Sequence, residues 1–87
     1  MTAREDIEAE LARAKAKFPP FHSAHEGYAV ILEELDELKT EVFWGATKDA
    51  GTGTRTRDDA MRAEAVQVAA MAQRFIEDVC DAEEVTI

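Results

Sequence analysis

The chain is poor in residues that cross-link or interrupt a fold: it has one cysteine, two prolines and four glycines among 87 residues. A single cysteine, Cys80, excludes an internal disulfide, and its place among apolar residues near a helix end is typical of a small buried side chain. The longest apolar run, 28–32, is far too short to span a membrane, and no signal peptide is present. We therefore expect a cytoplasmic protein built from long, uninterrupted elements.

Basic residues are also scarce, with ten Lys and Arg against nineteen Asp and Glu, and the formal net charge is −9. Nucleic-acid binding needs clustered positive charge, so this class of function is excluded, and docking on an anionic membrane is disfavoured. Divalent cations remain compatible, because hard cations select carboxylate oxygens. The hydrophobic content of 46% excludes a disordered chain. A domain this small builds a modest core, so association with other copies is a natural way to complete it.

The pattern predicts three helices and no strands, in one domain over residues 1–87. Residues 1–18 form the first helix, with Thr2 and Glu5 spaced as a capping box, and the sequence FPPF ends it. The second helix, 23–45, begins with the Ser-x-x-Glu spacing of Ser23 and Glu26 and stops at Gly45. The third helix spans 57–81, with Thr56 or Asp58 as its cap. The fold class is therefore an all-α bundle, completed by oligomerisation.

Two apolar stripes are predicted to bring the long helices together. The repeat on the third helix alternates four- and three-residue steps, which is typical of a close packing seam. On the second helix the stripe consists of Tyr28, Ile31, Leu35, Leu38 and Val42, and on the third of Met61, Ala65, Val68, Ala72, Phe75 and Val79.

Acidic residues border these stripes. Glu34 and Glu37 are three residues apart and therefore neighbours on the helix surface, and Glu64 and Gln67 repeat the spacing on the third helix. If the two helices pack antiparallel, the two pairs face each other. Carboxylates held in that way repel one another unless a cation lies between them, and Mg²⁺ suits such oxygen ligands. The alternative is a solvated acidic face, but neither Glu34 nor Glu37 has a basic residue four positions on.

These residues resemble a known family. The sequence HEGYAVILEELDELKTEVF, followed by RAEAVQVAAMAQRFIEDV, is similar to the MazG-like all-alpha nucleoside triphosphate pyrophosphohydrolases. Their signature is Glu-Glu-x-x-Glu on one helix and Glu-x-x-Asp on the next. EELDE at 33–37 fits the first part, and EAVQ at 64–67 fits the second with one change. The resemblance covers roughly residues 22–81.

The resemblance implies hydrolysis of a nucleoside triphosphate to the monophosphate and pyrophosphate, with Mg²⁺ or Mn²⁺, by a helical homodimer or homotetramer. Matched by position, the metal ligands are Glu34, Glu37, Glu64 and Gln67. Glu33 completes the catalytic group as a further ligand or as the base that orients water. Gln67 departs from the family because it stands where the signature has Asp, and an amide brings no charge. A non-catalytic nucleotide-binding or regulatory module, or a purely structural relative, therefore stays open.

Candidate substrate-binding residues lie around this motif, and each has a plainer alternative. Lys48, Arg55 and Arg57 flank a glycine-rich stretch that lacks the Walker A ending, and they are either phosphate contacts or solvated charges. Arg74 pairs with a carboxylate or with phosphate. Trp44 stacks on a base or is buried against a neighbouring helix.

Overall fold

A computed structural model describes the backbone of residues 1–49 and 57–82, and the side chains of 1–44 and 57–82. Three α-helices follow one another: α1 at Ala3–Lys17, α2 at Ala24–Asp49 and α3 at Arg57–Phe75. A π-helical turn at Ile76–Cys80 continues α3. These described ranges contain no strand, so the all-α prediction is confirmed. None of their helices combines the length and apolar character needed to cross a membrane.

Side-chain caps fix the beginnings of α1 and α2. The Thr2 hydroxyl accepts a hydrogen bond from the Glu5 amide at 3.1 Å, and the Glu5 carboxylate accepts one from the Thr2 amide at 2.9 Å. The predicted capping box is therefore confirmed. At α2, the Ser23 hydroxyl accepts from the Glu26 amide at 3.1 Å. The Glu26 carboxylate, however, accepts from the His22 amide, so only half of the second box forms as predicted.

The end of α2 differs from the prediction. The helix does not stop at Gly45 but continues to Asp49. A glycine inside a helix costs only about 1 kcal/mol relative to alanine, and it ends a helix when it adopts the left-handed conformation itself. Of the two predicted caps of α3, Thr56 lies outside the described residues, and Asp58 lies within the first turn of the helix rather than at its cap.

The long helices pack antiparallel. At one end of the pair, a Cβ atom built on Gly27 would lie 2.6 Å from Cδ2 of Phe75 and 3.0 Å from Cδ2 of Phe21. At the other end, Arg57 donates a hydrogen bond to the Val42 carbonyl. Because real Cβ atoms do not approach other atoms at 2.6 Å, the glycine allows α2 to lie close against the Phe75 ring.

The first helix runs parallel to α3 and is tied to it by charged groups at both ends. Near its start, Asp6 accepts from Arg62 at 2.5 Å, and near its end Lys15 donates to Glu77 at 2.5 Å. Both pairs are partly exposed, so they determine how α1 is aligned along α3 more than they stabilise the fold.

The interior is small and partly polar. No large side chain is fully buried among the described residues, and most of the apolar core consists of small residues. Two charged residues, Glu41 and Arg74, are buried to about the same degree as the apolar core residues. The buried apolar residues are Leu11, Ala14, Ala60, Ala70 and Met71.

The predicted apolar seams do not form the interior. Ala65 is exposed, as are Tyr28, Leu35 and Val42, and the other seam residues are only half-buried. The inward face of α3 instead carries a mixture of small and polar residues at four- and three-residue steps, namely Ala60, Glu64, Gln67, Met71 and Arg74. Three of the five stripe residues on α2 are thus exposed, whereas on α3 only Ala65 is exposed and the other stripe residues keep partial contact with the rest of the fold. The prediction that Cys80 is buried is also wrong, since this residue is exposed.

Candidate metal centre

Three carboxyl groups meet where α2 crosses the middle of α3. Glu34 and Glu37 project from α2 and Glu64 projects from α3, and one oxygen of each lies within 4.8 Å of the others. The antiparallel packing places these positions opposite each other, and the three-residue spacing puts both α2 carboxylates on the same side. The structure thus brings together three of the four residues predicted as metal ligands.

Burial and neighbouring charge perturb the central group. The pKa of Glu34 is raised to about 7, first by desolvation and then by the negative charges of Glu37 and Glu64, with smaller effects from a hydrogen bond to Glu37 and from the charge of Glu33. Its Oε1 atom is buried and has no hydrogen-bond partner in the part of the chain that the structure describes. The metal-free cluster therefore retains a proton at a pH well above that at which an isolated glutamate loses it.

This donor set suits a small hard cation. Octahedral ligands of one Mg²⁺ ion, each at about 2.1 Å, are about 3.0 Å apart when adjacent and about 4.2 Å apart when opposite. The oxygens within 4.8 Å of one another thus need to move by at most about 1 Å each, which side-chain rotations supply. A cation held there would remove the repulsion that raises the pKa of Glu34.

A cavity of about 610 Å³ adjoins the cluster. Glu33, Glu34 and Gln67 all line it, so Glu34 belongs both to the carboxylate cluster and to the cavity wall. Glu33 is exposed and Gln67 is half-buried. The structure therefore places both residues beside the cluster.

Glu41 is a buried acidic residue that the sequence analysis did not select. It is only 8% exposed. Its spacing of seven residues from Glu34 was the available signal, because residues seven apart share a helix face.

Arg74 has a different environment from the one expected of a substrate contact. It is 3% exposed, and its Nε donates to Asp78 at 3.0 Å. Its two terminal nitrogens donate to the backbone carbonyls of Ala14 at 3.2 Å and Phe18 at 2.8 Å. The pairing alternative is confirmed: Arg74 joins the end of α1 to α3, and all its nitrogens have partners within the protein.

Two more predicted substrate contacts, Arg57 and Trp44, lie near the end of α2 that follows Glu41. Arg57 is exposed apart from its bond to the Val42 carbonyl. Trp44 is 58% exposed beside the Phe43 ring, at 5.7 Å between centroids, so the alternative of burial against a helix of the same chain is wrong. Arg55 and the side chain of Lys48 lie outside the described residues.

Comparison of the chain with protein-family models, with curated proteins and with solved structures gave no match. The class of the protein is therefore inferred from its fold and from the arrangement of its side chains. It is a small all-α protein with a cluster of three carboxyl groups shared between two antiparallel helices.

Proposed function

We propose that this protein is a metal-dependent hydrolase that converts a nucleoside triphosphate to the monophosphate and pyrophosphate. Glu34, Glu37 and Glu64 would hold Mg²⁺ or Mn²⁺. The observation that carries the proposal is the convergence of these three groups within 4.8 Å. The MazG-like pattern of EELDE and EAVQ supports the choice of substrate and reaction.

The carboxylates would have separate roles in this reaction. A bound cation would neutralise charge that develops on the phosphate oxygens. Glu34, Glu37 and Glu64 would hold that cation in place from two helices. Glu33, exposed at the edge of the cavity, would accept a proton from the attacking water. The water oxygen bonds to the α-phosphorus while the bond to the β-phosphate's bridging oxygen breaks, and pyrophosphate leaves.

Gln67 makes the site less negative than the related signature. Its amide oxygen is able to ligate a hard cation, but it contributes no charge. We therefore expect Gln67→Asp to tighten Mn²⁺ binding, as measured by isothermal titration calorimetry. Unchanged or weaker affinity in this variant would place position 67 outside the ligand sphere.

The decisive test is pyrophosphate release from a panel of canonical, deoxy and modified nucleoside triphosphates, first with Mg²⁺ and then with Mn²⁺. Glu37→Gln, purified in parallel, should be inactive and reports contaminating enzymes. Asp36→Asn removes the same charge from the exposed side of α2 and should remain active. If Glu37→Gln releases pyrophosphate as fast as the wild type, the ligand assignment is wrong.

The second candidate function is a non-catalytic nucleotide-binding or regulatory module of the same fold. The neutral Gln67 favours it, because a site that binds its cation less tightly has that positive charge in place less often to stabilise the transition state. A metal-dependent thermal shift with a non-hydrolysable nucleotide, without product from the hydrolysable one, would select this candidate.

A homodimer or homotetramer is part of the proposal, and the exposed apolar residues of α2 support it. Tyr28, Leu35 and Val42 are exposed on α2 at seven-residue intervals, so they lie on one face of the helix. A second copy would cover this apolar face. A cytoplasmic location remains a prediction.

A further inference from the structure

The cavity beside the carboxylate cluster has a wall that the proposed function does not use. It lies between α1 and the long helices, and its volume of about 610 Å³ falls within the range of about 300–1,000 Å³ usual for small-molecule sites. Glu34 and Gln67 line one side of it. Arg13 and Lys17, both on α1, also line it.

The two cations lie on one side of this space. They are four residues apart and therefore on one face of α1, separated by about 6 Å along its axis. Glu10 of α1 also lines the cavity, so this side carries two positive groups and one carboxylate, whereas carboxyl groups of α2 line the other side.

Both cations keep much of their surface in solvent. Arg13 is paired with Glu10, and the two side chains are 64% and 14% exposed, respectively. A guanidinium has five N–H donors, so the groups that Glu10 does not engage are available to a further acceptor. Lys17 makes no ion pair within the described residues, and its Nζ lies 5.7 Å from the centroid of the Phe18 ring.

We infer that the cavity binds the polyphosphate chain of the nucleotide, with Arg13 and Lys17 contacting its oxygens from α1. The inference rests on the proposed function for the cation at Glu34, which would hold the phosphates from the opposite wall. A polyanion cannot approach a group of carboxylates in a chain of net charge −9 without local positive charge. Arginine and lysine are the side chains that supply such charge to phosphate, and arginine adds a bidentate contact.

Binding of inorganic tripolyphosphate tests the inference without requiring catalysis. Calorimetric titrations with the Mn²⁺ complex of tripolyphosphate would compare the wild type with Arg13→Gln/Lys17→Gln. Arg4→Gln/Lys39→Gln, at two exposed positions away from the cavity, removes the same total charge. We expect at least a tenfold loss of affinity in the cavity variant and less than a twofold loss in the control. Far-UV circular dichroism and the thermal shift with Mn²⁺ alone should be the same for all three proteins.

The outcomes separate this inference from the proposed hydrolysis. No binding by the wild type, equal affinity in the cavity variant, or equal losses in both variants would each overturn the inference. If the cavity variant hydrolyses a nucleoside triphosphate with unchanged KM, the inference fails while the hydrolase stands. If tripolyphosphate binding depends on both cations but no triphosphate is hydrolysed, the inference stands and the hydrolase fails.

Discussion

Replacing Glu34 by glutamine should make the metal-free protein more stable at alkaline pH, although it removes a proposed ligand. The pKa of Glu34 is raised from 4.5 to about 7 in the folded chain. A raised pKa means that the folded state binds the proton more tightly than the unfolded state does. The resulting stabilisation is fully present below about pH 4.5 and is lost as the pH rises through 7. Above pH 7 the ionised group opposes folding, and glutamine avoids that cost.

The magnitude follows from the size of the perturbation. Moving a pKa from 4.5 to about 7 corresponds to about 3.4 kcal/mol, at about 1.36 kcal/mol for each pH unit. Solvent reaches this half-buried group and screens its neighbours, which reduces the expected effect to about 1 to 2 kcal/mol. We therefore expect Glu34→Gln to raise the free energy of unfolding by about 1 to 2 kcal/mol at pH 8, and by less at pH 5.

Urea unfolding followed by far-UV circular dichroism, with a chelator present and at one fixed protein concentration, measures this difference. Asp36→Asn provides the matched control, because it removes one negative charge from an exposed position on the same helix. The control should show no comparable increase in stability between pH 5 and pH 8. Mn²⁺ should then reverse the order, since the wild type gains more binding free energy than Glu34→Gln does.

Two results would refute this reasoning. A Glu34→Gln protein no more stable than the wild type at pH 8 would show that burial and neighbouring negative charge do not destabilise the ionised form of this carboxyl group. An equal gain in Asp36→Asn would show that the effect comes from net charge alone. Metal affinity of the wild type should also fall as the pH drops below 7, because binding must displace the proton.

Three further variants test the packing. Arg74→Leu should lower the free energy of unfolding by about 3 kcal/mol, because Asp78 would lose its ion pair and two carbonyls would lose their donor; a loss below about 1 kcal/mol in urea unfolding would contradict this. Gly27→Leu should cost about 2 kcal/mol or more through the clash with Phe75, and Ala29→Leu, at an exposed neighbouring position, should have a thermal midpoint near that of the wild type. Leu35→Glu should lower the molar mass measured by light scattering towards that of a monomer, whereas an unchanged mass would remove this face from the proposed interface.

The sequence predicted those features that depend on short-range spacing. The capping box of Thr2 and Glu5 needs only a three-residue interval, and so does the pairing of Glu34 with Glu37. Their meeting with Glu64 needed one additional assumption, the antiparallel packing of two helices joined by a short connection. That assumption is confirmed, so most of the predicted ligand set lies together.

The sequence could not show which face of each helix would be turned inward. Hydrophobic periodicity identifies an apolar stripe but not what covers it, and here Leu35 of the α2 stripe and Ala65 of the α3 stripe are both exposed. The hydrogen bonds of Arg74 could not be predicted either, because its carbonyl partners Ala14 and Phe18 are 60 and 56 residues away in the sequence. Their positions depend on how α1 docks, which no local pattern encodes.

The small and partly polar interior of the chain has a consequence for its concentration dependence. With no large side chain fully buried in the described part of the structure, a single copy gains little from burying its own apolar groups. If a second copy covers the exposed apolar face of α2, folding and assembly become one equilibrium, governed by mass action. For a dimer, each tenfold dilution then lowers the apparent stability by about 1.4 kcal/mol. The abundance of the protein would itself determine how much of it is folded.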